Sequence, residues 1–248
     1  GTTDAPAAGD APAAAPEAKE EVLYHILKKG IKMYKDVLRS QLLLGLPGGI
    51  QTAMYSISNI IVTAAINSFG EVTVASWTAY SKFDGLFWMI SGAMGVTITT
   101  FVGQNFGAGR MDRIRNGVRI MNWAYVFVSL AMSTLVVILR QPLFRIFVES
   151  SEAVEIGCRM LMIMSPFYLL NIYIENYSGA LRGVGDTLVP MLFSIFGICV
   201  FRIIYLSTVF RFLPTLECLC AMYPITWALT NTLYMIYYPV RMKRLVNK

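Results

Sequence analysis

Apolar residues dominate this chain of 248 residues: 56% are hydrophobic, 15% are charged, and the mean hydropathy is +0.56. An ordinary soluble domain carries about a quarter charged residues, so a soluble fold of this size is excluded. The formal net charge of +6 would suggest nucleic acid in a soluble protein, but in a membrane protein the placement of the charges matters more than their sign. We therefore expect a polytopic helical membrane protein.

The N-terminal part of the chain differs in composition from the rest. Residues 1–18 are rich in Ala and Pro and cannot build a core, so we expect a disordered linker. Residues 19–40 are predicted to form a cytoplasmic amphipathic helix. Its basic stripe consists of Lys28, Lys32, Lys35 and Arg39. Such a helix suits the surface of an anionic membrane, and it suits equally a packing site on a neighbouring domain.

Six apolar segments follow, each long enough to cross a hydrocarbon core of about 30 Å with about 20 helical residues. They cover residues 41–67, 72–102, 118–139, 154–182, 187–212 and 216–240. The predicted fold class is all-α: a polytopic bundle of six membrane-spanning helices within residues 41–240, followed by a basic cytoplasmic tail over residues 241–248.

Lys and Arg residues predict the orientation of these spans. Fifteen of the 21 lie on the flanks and loops of the N-terminal side. The opposite side holds four, which are Arg140, Arg145, Arg159 and Arg211. Because basic residues are retained on the cytoplasmic side, both termini of this segment are predicted to be cytoplasmic, in the cell (inner) membrane.

The segment FVGQNFGAGR, residues 101–110, has the glycine content of a phosphate-binding loop. It lacks the Gly-Lys-Ser/Thr ending and the preceding strand that nucleotide sites require, so no nucleotide is predicted. Instead, small residues of the second span form one helical stripe that would let a neighbouring helix approach closely. They are Ser81, Gly85, Gly92, Gly95, Thr99 and Gly103. Gly107 and Gly109 are expected to supply backbone freedom for a tight turn.

Enzymatic chemistry has little support in this sequence. Cys218 and Cys220 could form half of a metal site, but the single histidine, His25, lies on the distant N-terminal flank. Buried, inert thiols are the favoured interpretation. Because paired histidines, metal-ligand clusters and nucleophile pairs are missing at membrane depth, neither an enzyme nor a cofactor is predicted.

Three motifs, in this order and at this spacing, resemble the C-terminal lobe of multidrug and toxin extrusion (MATE) transporters. They are GLPGGIQ at the start of the first span, GQNFGAG after the second and GALRGVGDTLVP after the fourth. The resemblance covers residues 41–240. It implies a twelve-helix protein with two six-helix lobes, of which this chain is expected to be the second lobe, with the missing N-terminal lobe as its partner.

The resemblance also implies a function. A MATE protein is a secondary active transporter that exports drugs or organic cations by alternating access, in exchange for Na⁺ or H⁺. Two alternatives stay open. A flippase for a lipid-linked precursor, from the same superfamily, would be expected to line its cavity with several cationic residues. A non-transporting membrane scaffold would have little reason to carry charges in its spans, where each costs about 2.5–3.5 kcal/mol on insertion scales.

The fourth span carries the polar face that matters most for transport. Its members are Tyr168, Asn171, Glu175, Ser178 and Arg182. A polar face with a carboxylate should face the bundle interior or a water-filled cavity. In some MATE proteins a carboxylate on this helix helps to bind the coupling cation, and the matching position here falls at Asn171, one turn before Glu175. Asn171 and Glu175 are therefore ion- or substrate-binding candidates.

The first span has a polar face made of Gln51, Tyr55, Ser58 and Asn59. The same MATE proteins place a glutamate where this chain has Tyr55, so the coupling ion, Na⁺ or H⁺, stays unassigned. Gln51 and Tyr55 are further binding candidates.

Asp84 and Arg202 complete the candidates, and they lie at similar depth on the second and fifth spans. Two interpretations stay open for them: a structural ion pair, or roles in a cavity. Lys82, the other basic residue inside a span, points about 160° away from Asp84 on the helix and cannot pair with it.

Overall fold

The computed structural model describes residues 35–246, which are almost entirely helical and contain no β-strand. In chain order, the α-helices of these residues are α1 (Lys35–Asn67), α2 (Glu71–Gly107), α3 (Met111–Ile138), α4 (Arg140–Phe147), α5 (Ser151–Met164), α6 (Tyr168–Gly183), α7 (Leu188–Ser194), α8 (Phe201–Ser207), α9 (Val209–Phe212) and α10 (Leu216–Val246). A 3₁₀ turn (Ser165–Phe167) separates α5 from α6, and a π-helical turn (Ile195–Val200) separates α7 from α8.

The predicted linker over residues 1–18 and most of the predicted amphipathic helix over residues 19–40 lie outside the described residues. The helical bundle described below belongs to one compact unit, which begins at Leu44.

Five segments of the described chain are long and apolar enough to cross a membrane. They are Lys35–Asn67, Glu71–Gly107, Met111–Ile138, Ser151–Gly183 and Leu188–Phe212, which correspond to the first five predicted spans. The sixth predicted span is one continuous helix, α10, but it is not among these five, so the count of six stays a prediction. On α3, Ile120, Trp123 and Phe127 are exposed, as expected of a helix in contact with lipid.

Several helices have bounds that differ from those of the predicted segments. The third span begins at Met111 rather than at residue 118, because the basic segment after Arg110 is already helical. The fourth span, predicted as one helix, is interrupted at Pro166, whose missing N–H cannot continue the helical hydrogen bonds. The basic tail predicted from residue 241 is part of α10 up to Val246.

Two local features were not predicted. The short helix α4 follows α3 directly and buries Phe144 against α5, at Gly157. The π-helical turn of the fifth span contains Gly197, and its bare backbone packs against Thr230 of α10. Both glycines allow a close approach that a larger side chain would prevent.

Helix α6 packs against α2, α3 and α10 and therefore occupies the centre of the bundle. The predicted small-residue stripe is confirmed in the half of α2 nearest Gly107, where Thr99 and Gly103 lie against α6. A Cβ added to Gly183 of α6 would lie 2.8 Å from the Thr99 carbonyl oxygen. At Gly85 and Gly92 the prediction was wrong, because within the described part of the chain both glycines face open space.

The turn after α2 depends on Gly109, which has a φ of +69°, a conformation that favours glycine. This confirms the predicted role of Gly109, whereas Gly107 is the last residue of α2 and has no positive φ. Gly185, with a φ of +84°, supplies the equivalent turn after α6.

Candidate functional site

A cavity of about 440 Å³ lies between α1, α2, α6, α8 and α10. Five of the six candidate residues line it: Tyr55, Asp84, Asn171, Glu175 and Arg202. Its aromatic walls are Trp77, Trp88, Tyr223 and Trp227. The sixth candidate, Gln51, lies one helical turn from Tyr55 and donates a hydrogen bond of 3.2 Å to the Tyr55 hydroxyl. The structure therefore brings these residues together at one place, and their roles in binding stay predictions.

Asp84 is held by three hydrogen-bond donors. The hydroxyls of Tyr168 and Tyr80 donate to Oδ1 over 2.7 and 3.1 Å. The Trp88 indole Nε1 donates to Oδ2 over 2.8 Å. Tyr80, Asp84 and Trp88 are spaced four residues apart on α2, so they share one face. These donors fix the carboxylate at the edge of the cavity.

Tyr168 connects this cluster to α6. Its ring stacks on Phe87 of α2 with 4.0 Å between the ring centroids, and its hydroxyl also lies 2.7 Å from the Tyr80 hydroxyl. The sequence pattern placed Tyr168 on the polar face of the fourth span, and the structure confirms that this face points into the bundle.

Arg202 is only 4% exposed, yet it lines the cavity. Its Nη1 donates to Asn59 Oδ1 over 3.0 Å and to Ser58 Oγ over 3.4 Å. The guanidinium lies over the Tyr223 ring, 4.5 Å from its centroid. Arg202 Nε is buried without a hydrogen-bond partner.

The direct ion pair between Asp84 and Arg202 is not formed, and that interpretation was wrong. Within residues 35–246, Arg202 takes part in no ion pair, and Asp84 takes its hydrogen bonds from tyrosine and tryptophan side chains. Both residues nevertheless line one cavity. Asp84 on α2 and Arg202 on α8 have different hydrogen-bond partners.

Glu175 has a different environment from Asp84. Its Oε2 lies 3.8 Å from Arg182 Nη2, one face of the carboxylate lies against the bare backbone of Gly95, and 22% of the side chain is exposed. No hydrogen bond from the described part of the chain reaches it. Asn171, one turn earlier, accepts a hydrogen bond of 3.3 Å from Ser91. Glu175 is therefore the less constrained of the two carboxylates.

Lys82 is exposed and does not line the cavity, in agreement with its predicted direction. Cys199 and Cys220 are buried, and Cys158 and Cys218 are half-buried. Over residues 35–246 no group of His, Cys, Asp and Glu side chains is arranged to hold a metal ion. The Tyr80 and Trp88 donors were missed by the sequence analysis, although their spacing of four residues from Asp84 was a usable signal.

This arrangement can be compared with known proteins. The MatE family model matches residues 47–207, which is more than half of the chain. This chain belongs to the MATE family. The matched range begins at Pro47 in the first motif and ends within α8, so it contains four of the five helices that line the cavity.

Similar MATE proteins come from several bacteria. The probable multidrug resistance protein YoeA of Bacillus subtilis is 27% identical over 172 residues, which cover 69% of this chain and 37% of that protein. The probable multidrug resistance protein NorM of Thermotoga maritima is 25% identical over 183 residues, which cover 71% of this chain and 38% of NorM. The chain thus spans well under half the length of these relatives.

Solved MATE structures have the same fold. An outward-facing multidrug resistance MATE transporter superposes with a TM-score of 0.79 at 17% identity, over 88% of this chain and 49% of that one. An inward-facing structure superposes with a TM-score of 0.73, over 88% of this chain and 50% of that one. This MATE lobe therefore has the fold of about half of those transporters.

Proposed function

We propose that this chain is the C-terminal lobe of a transporter that exports drugs or organic cations in exchange for Na⁺ or H⁺. The observation that carries the proposal is the cavity, where Asp84 and Glu175 face a space walled by aromatic rings inside an apolar helical bundle. A carboxylate inside a membrane is costly and marks ion or substrate pathways. Tryptophan and tyrosine rings bind apolar cations by stacking and by cation–π attraction.

The two carboxylates suit different tasks. Asp84 is fixed by three donors, so it suits the positioning of a positively charged group of the substrate. Glu175 has Arg182 as its ionic partner and keeps 22% of its side chain exposed, so it suits the reversible binding of the coupling ion. Arg182 would then act as the countercation of Glu175 when that ion is absent.

A second lobe is part of the proposal. Alternating access in such transporters requires two bundles that move around a central site, and the relatives are more than twice as long as the matched part of this chain. The N-terminal lobe of the same protein would supply the other wall of the cavity. The excess of Lys and Arg on one side favours cytoplasmic termini in the cell membrane.

The alternative functions have weaker support. A flippase for an anionic lipid-linked precursor calls for several cations in the cavity, but Arg202 is the one Lys or Arg that lines it among the described residues. A scaffold needs neither a cavity nor carboxylates that line it. The family membership favours a transporter over an enzyme.

Reconstitution of the full-length protein in liposomes tests the proposal. Ethidium efflux would be followed under an imposed Na⁺ gradient and, separately, under an imposed pH gradient. We expect one gradient to drive efflux, and Glu149→Gln, which changes an exposed acid, to leave it unaltered. If neither gradient drives efflux of ethidium or of other cationic dyes by folded protein, the proposal is wrong.

A further inference from the structure

Arg202 is a buried charge that forms no ion pair with any carboxylate of residues 35–246. It is 4% exposed, and its hydrogen bonds go to the neutral side chains of Asn59 and Ser58. Its Nε donates to no acceptor within the described part of the chain. Buried charges in proteins are normally paired, because an uncompensated charge is costly in a medium of low dielectric constant.

Two other arginines of the bundle have a carboxylate partner. Arg182 pairs with Glu175, and Arg241 pairs with Asp186, although both arginines are more exposed than Arg202. Asp84 lines the same cavity as Arg202 but accepts its hydrogen bonds from other residues. The cavity therefore presents a positive and a negative group that do not neutralise each other through direct contact.

We propose that Arg202 binds an oxyanion of the transported molecule, a carboxylate or a phosphate. This inference rests on the proposed function and narrows its substrate class to aromatic molecules that carry an acidic group as well as a positive charge. A guanidinium binds an oxyanion through two parallel hydrogen bonds. Because Nη1 already serves Asn59 and Ser58, the Nε edge is the one that would receive the oxyanion.

The rest of the cavity fits such a molecule. Asp84 on α2 would attract the positive group, while Arg202 on α8 holds the acidic group. The rings of Trp77, Tyr223 and Trp227 offer flat surfaces to an aromatic body. A substrate with both charges would complete both sites, whereas a simple cation leaves Arg202 without an anion.

A matched pair of dyes tests this inference. Rhodamine B carries a free carboxylate, and its ethyl ester is the same fluorophore with that carboxylate masked. Binding of both dyes to the full-length, detergent-solubilised protein would be measured by fluorescence polarisation, and their efflux by reconstitution. We expect the wild-type protein to bind rhodamine B at least about tenfold more tightly than the ester, which corresponds to one charge-assisted hydrogen-bonded contact.

Variants separate a binding role from a structural one. Arg202→Gln should lose at least about tenfold in affinity for rhodamine B while the affinity for the ester changes less than about twofold. Arg202→Lys, which keeps the charge, should restore part of the preference. Arg159→Gln, which removes an arginine outside the cavity, should leave it unchanged. Thermal unfolding of each variant, monitored by size-exclusion chromatography after heating, shows whether the variant is folded.

The outcomes distinguish this inference from the proposed function. If the wild-type protein exports the ester and shows no preference for rhodamine B, Arg202 does not bind the oxyanion, and the transporter proposal stands. An equal loss of affinity for both dyes in Arg202→Gln would assign Arg202 a structural role and overturn the inference. If folded wild-type protein binds neither dye, the inference is wrong, and the ethidium efflux experiment decides the proposed function separately. The wild-type comparison needs no variant, so it decides the question even if Arg202→Gln does not fold.

Discussion

The Tyr168 hydroxyl donates a hydrogen bond of 2.7 Å to Asp84 Oδ1 and thereby joins α6 to the carboxylate of α2. The same hydroxyl lies 2.7 Å from the Tyr80 hydroxyl, so the two tyrosines and Asp84 form one connected cluster at the edge of the cavity. When no substrate is present, the Asp84 oxygens accept hydrogen bonds from these side chains. A bound cation therefore has to compete with them for Asp84.

Removal of the Tyr168 hydroxyl should change stability and cation binding in opposite directions. Tyr168→Phe keeps the ring stack on Phe87 but removes one donor. Hydrogen bonds between membrane helices contribute about 1 kcal/mol, so the melting temperature should fall slightly. The substrate-free protein loses a hydrogen bond to Asp84, and a bound cation no longer has to displace it. Tetraphenylphosphonium should therefore bind up to about fivefold more tightly, the equivalent of about 1 kcal/mol.

Isothermal titration of the full-length protein measures this change. Tyr173→Phe is the matched control, since it removes a hydroxyl from the same helix at a position with no hydrogen bond to Asp84. A weaker affinity for tetraphenylphosphonium in Tyr168→Phe alone would mean that the hydroxyl helps to bind the cation rather than competing with it.

Neutralisation of Glu175 should uncouple efflux from the ion gradient. A glutamine has the size of the glutamate but cannot carry its charge, so Glu175→Gln cannot alternate between an ion-bound and an Arg182-paired state. We expect gradient-driven ethidium efflux to fall at least about tenfold, the effect of about 1.4 kcal/mol, while equilibrium binding of ethidium changes less than about twofold. Glu175→Asp should keep part of the activity, and unaltered coupling in Glu175→Gln would remove this residue from the ion site.

The faces of individual helices could be predicted from the sequence. Polar residues in apolar helices avoid lipid, so the periodicity of each span alone indicates where its polar side chains point. That reasoning placed Asn171 and Glu175 on an inward face of the fourth span, and the structure brings both to the cavity. It also directed Lys82 away from Asp84, where the structure has it exposed.

Partners on different helices could not be predicted in the same way. Similar depth made an Asp84–Arg202 ion pair one of two open interpretations, but pairing also depends on the rotation and separation of α2 and α8, which periodicity does not contain. In the structure, Asp84 accepts a hydrogen bond from Tyr168, and Arg202 donates one to Asn59. Helix irregularities are a further limit, because the hydrophobic pattern continues through the π-helical turn.

The close contact between α2 and α6 makes Gly183 sensitive to substitution. A Cβ at this position would lie 2.8 Å from both the Thr99 carbonyl oxygen and Val102 Cβ. A carbonyl and a β-carbon cannot move without a shift of the helix, so Gly183→Ala should lower the free energy of unfolding by about 1–3 kcal/mol. Gly92→Ala is the control, because nothing lies within 4 Å of a Cβ there and alanine favours a helix. Thermal unfolding in detergent should show a lower melting temperature for Gly183→Ala alone, and equal effects would contradict the packing argument.

Asp186 should contribute more to stability than Asp112, although each carboxylate has an arginine partner. Asp186 Oδ2 accepts from Arg241 Nε over 2.9 Å and from the Tyr237 hydroxyl over 2.8 Å, with only 11% of the Asp186 side chain exposed. These bonds join the turn after α6 to α10. Asp112 meets Arg110 over 3.5 Å, and both of those side chains are largely exposed.

The two carboxylates should differ in their effect on stability because the Asp186 pair is more buried than the Asp112 pair. Asp186→Asn removes the charge that stabilises Arg241, and loss of one partner from a partly buried pair should cost about 1–3 kcal/mol. Asp112→Asn should leave the melting temperature unchanged, because solvent and salt screen exposed ion pairs. Thermal unfolding at low and high salt measures both variants. We expect the Asp186→Asn deficit to persist at high salt; a deficit that salt abolishes would mean that the pair with Arg241 acts as a surface interaction.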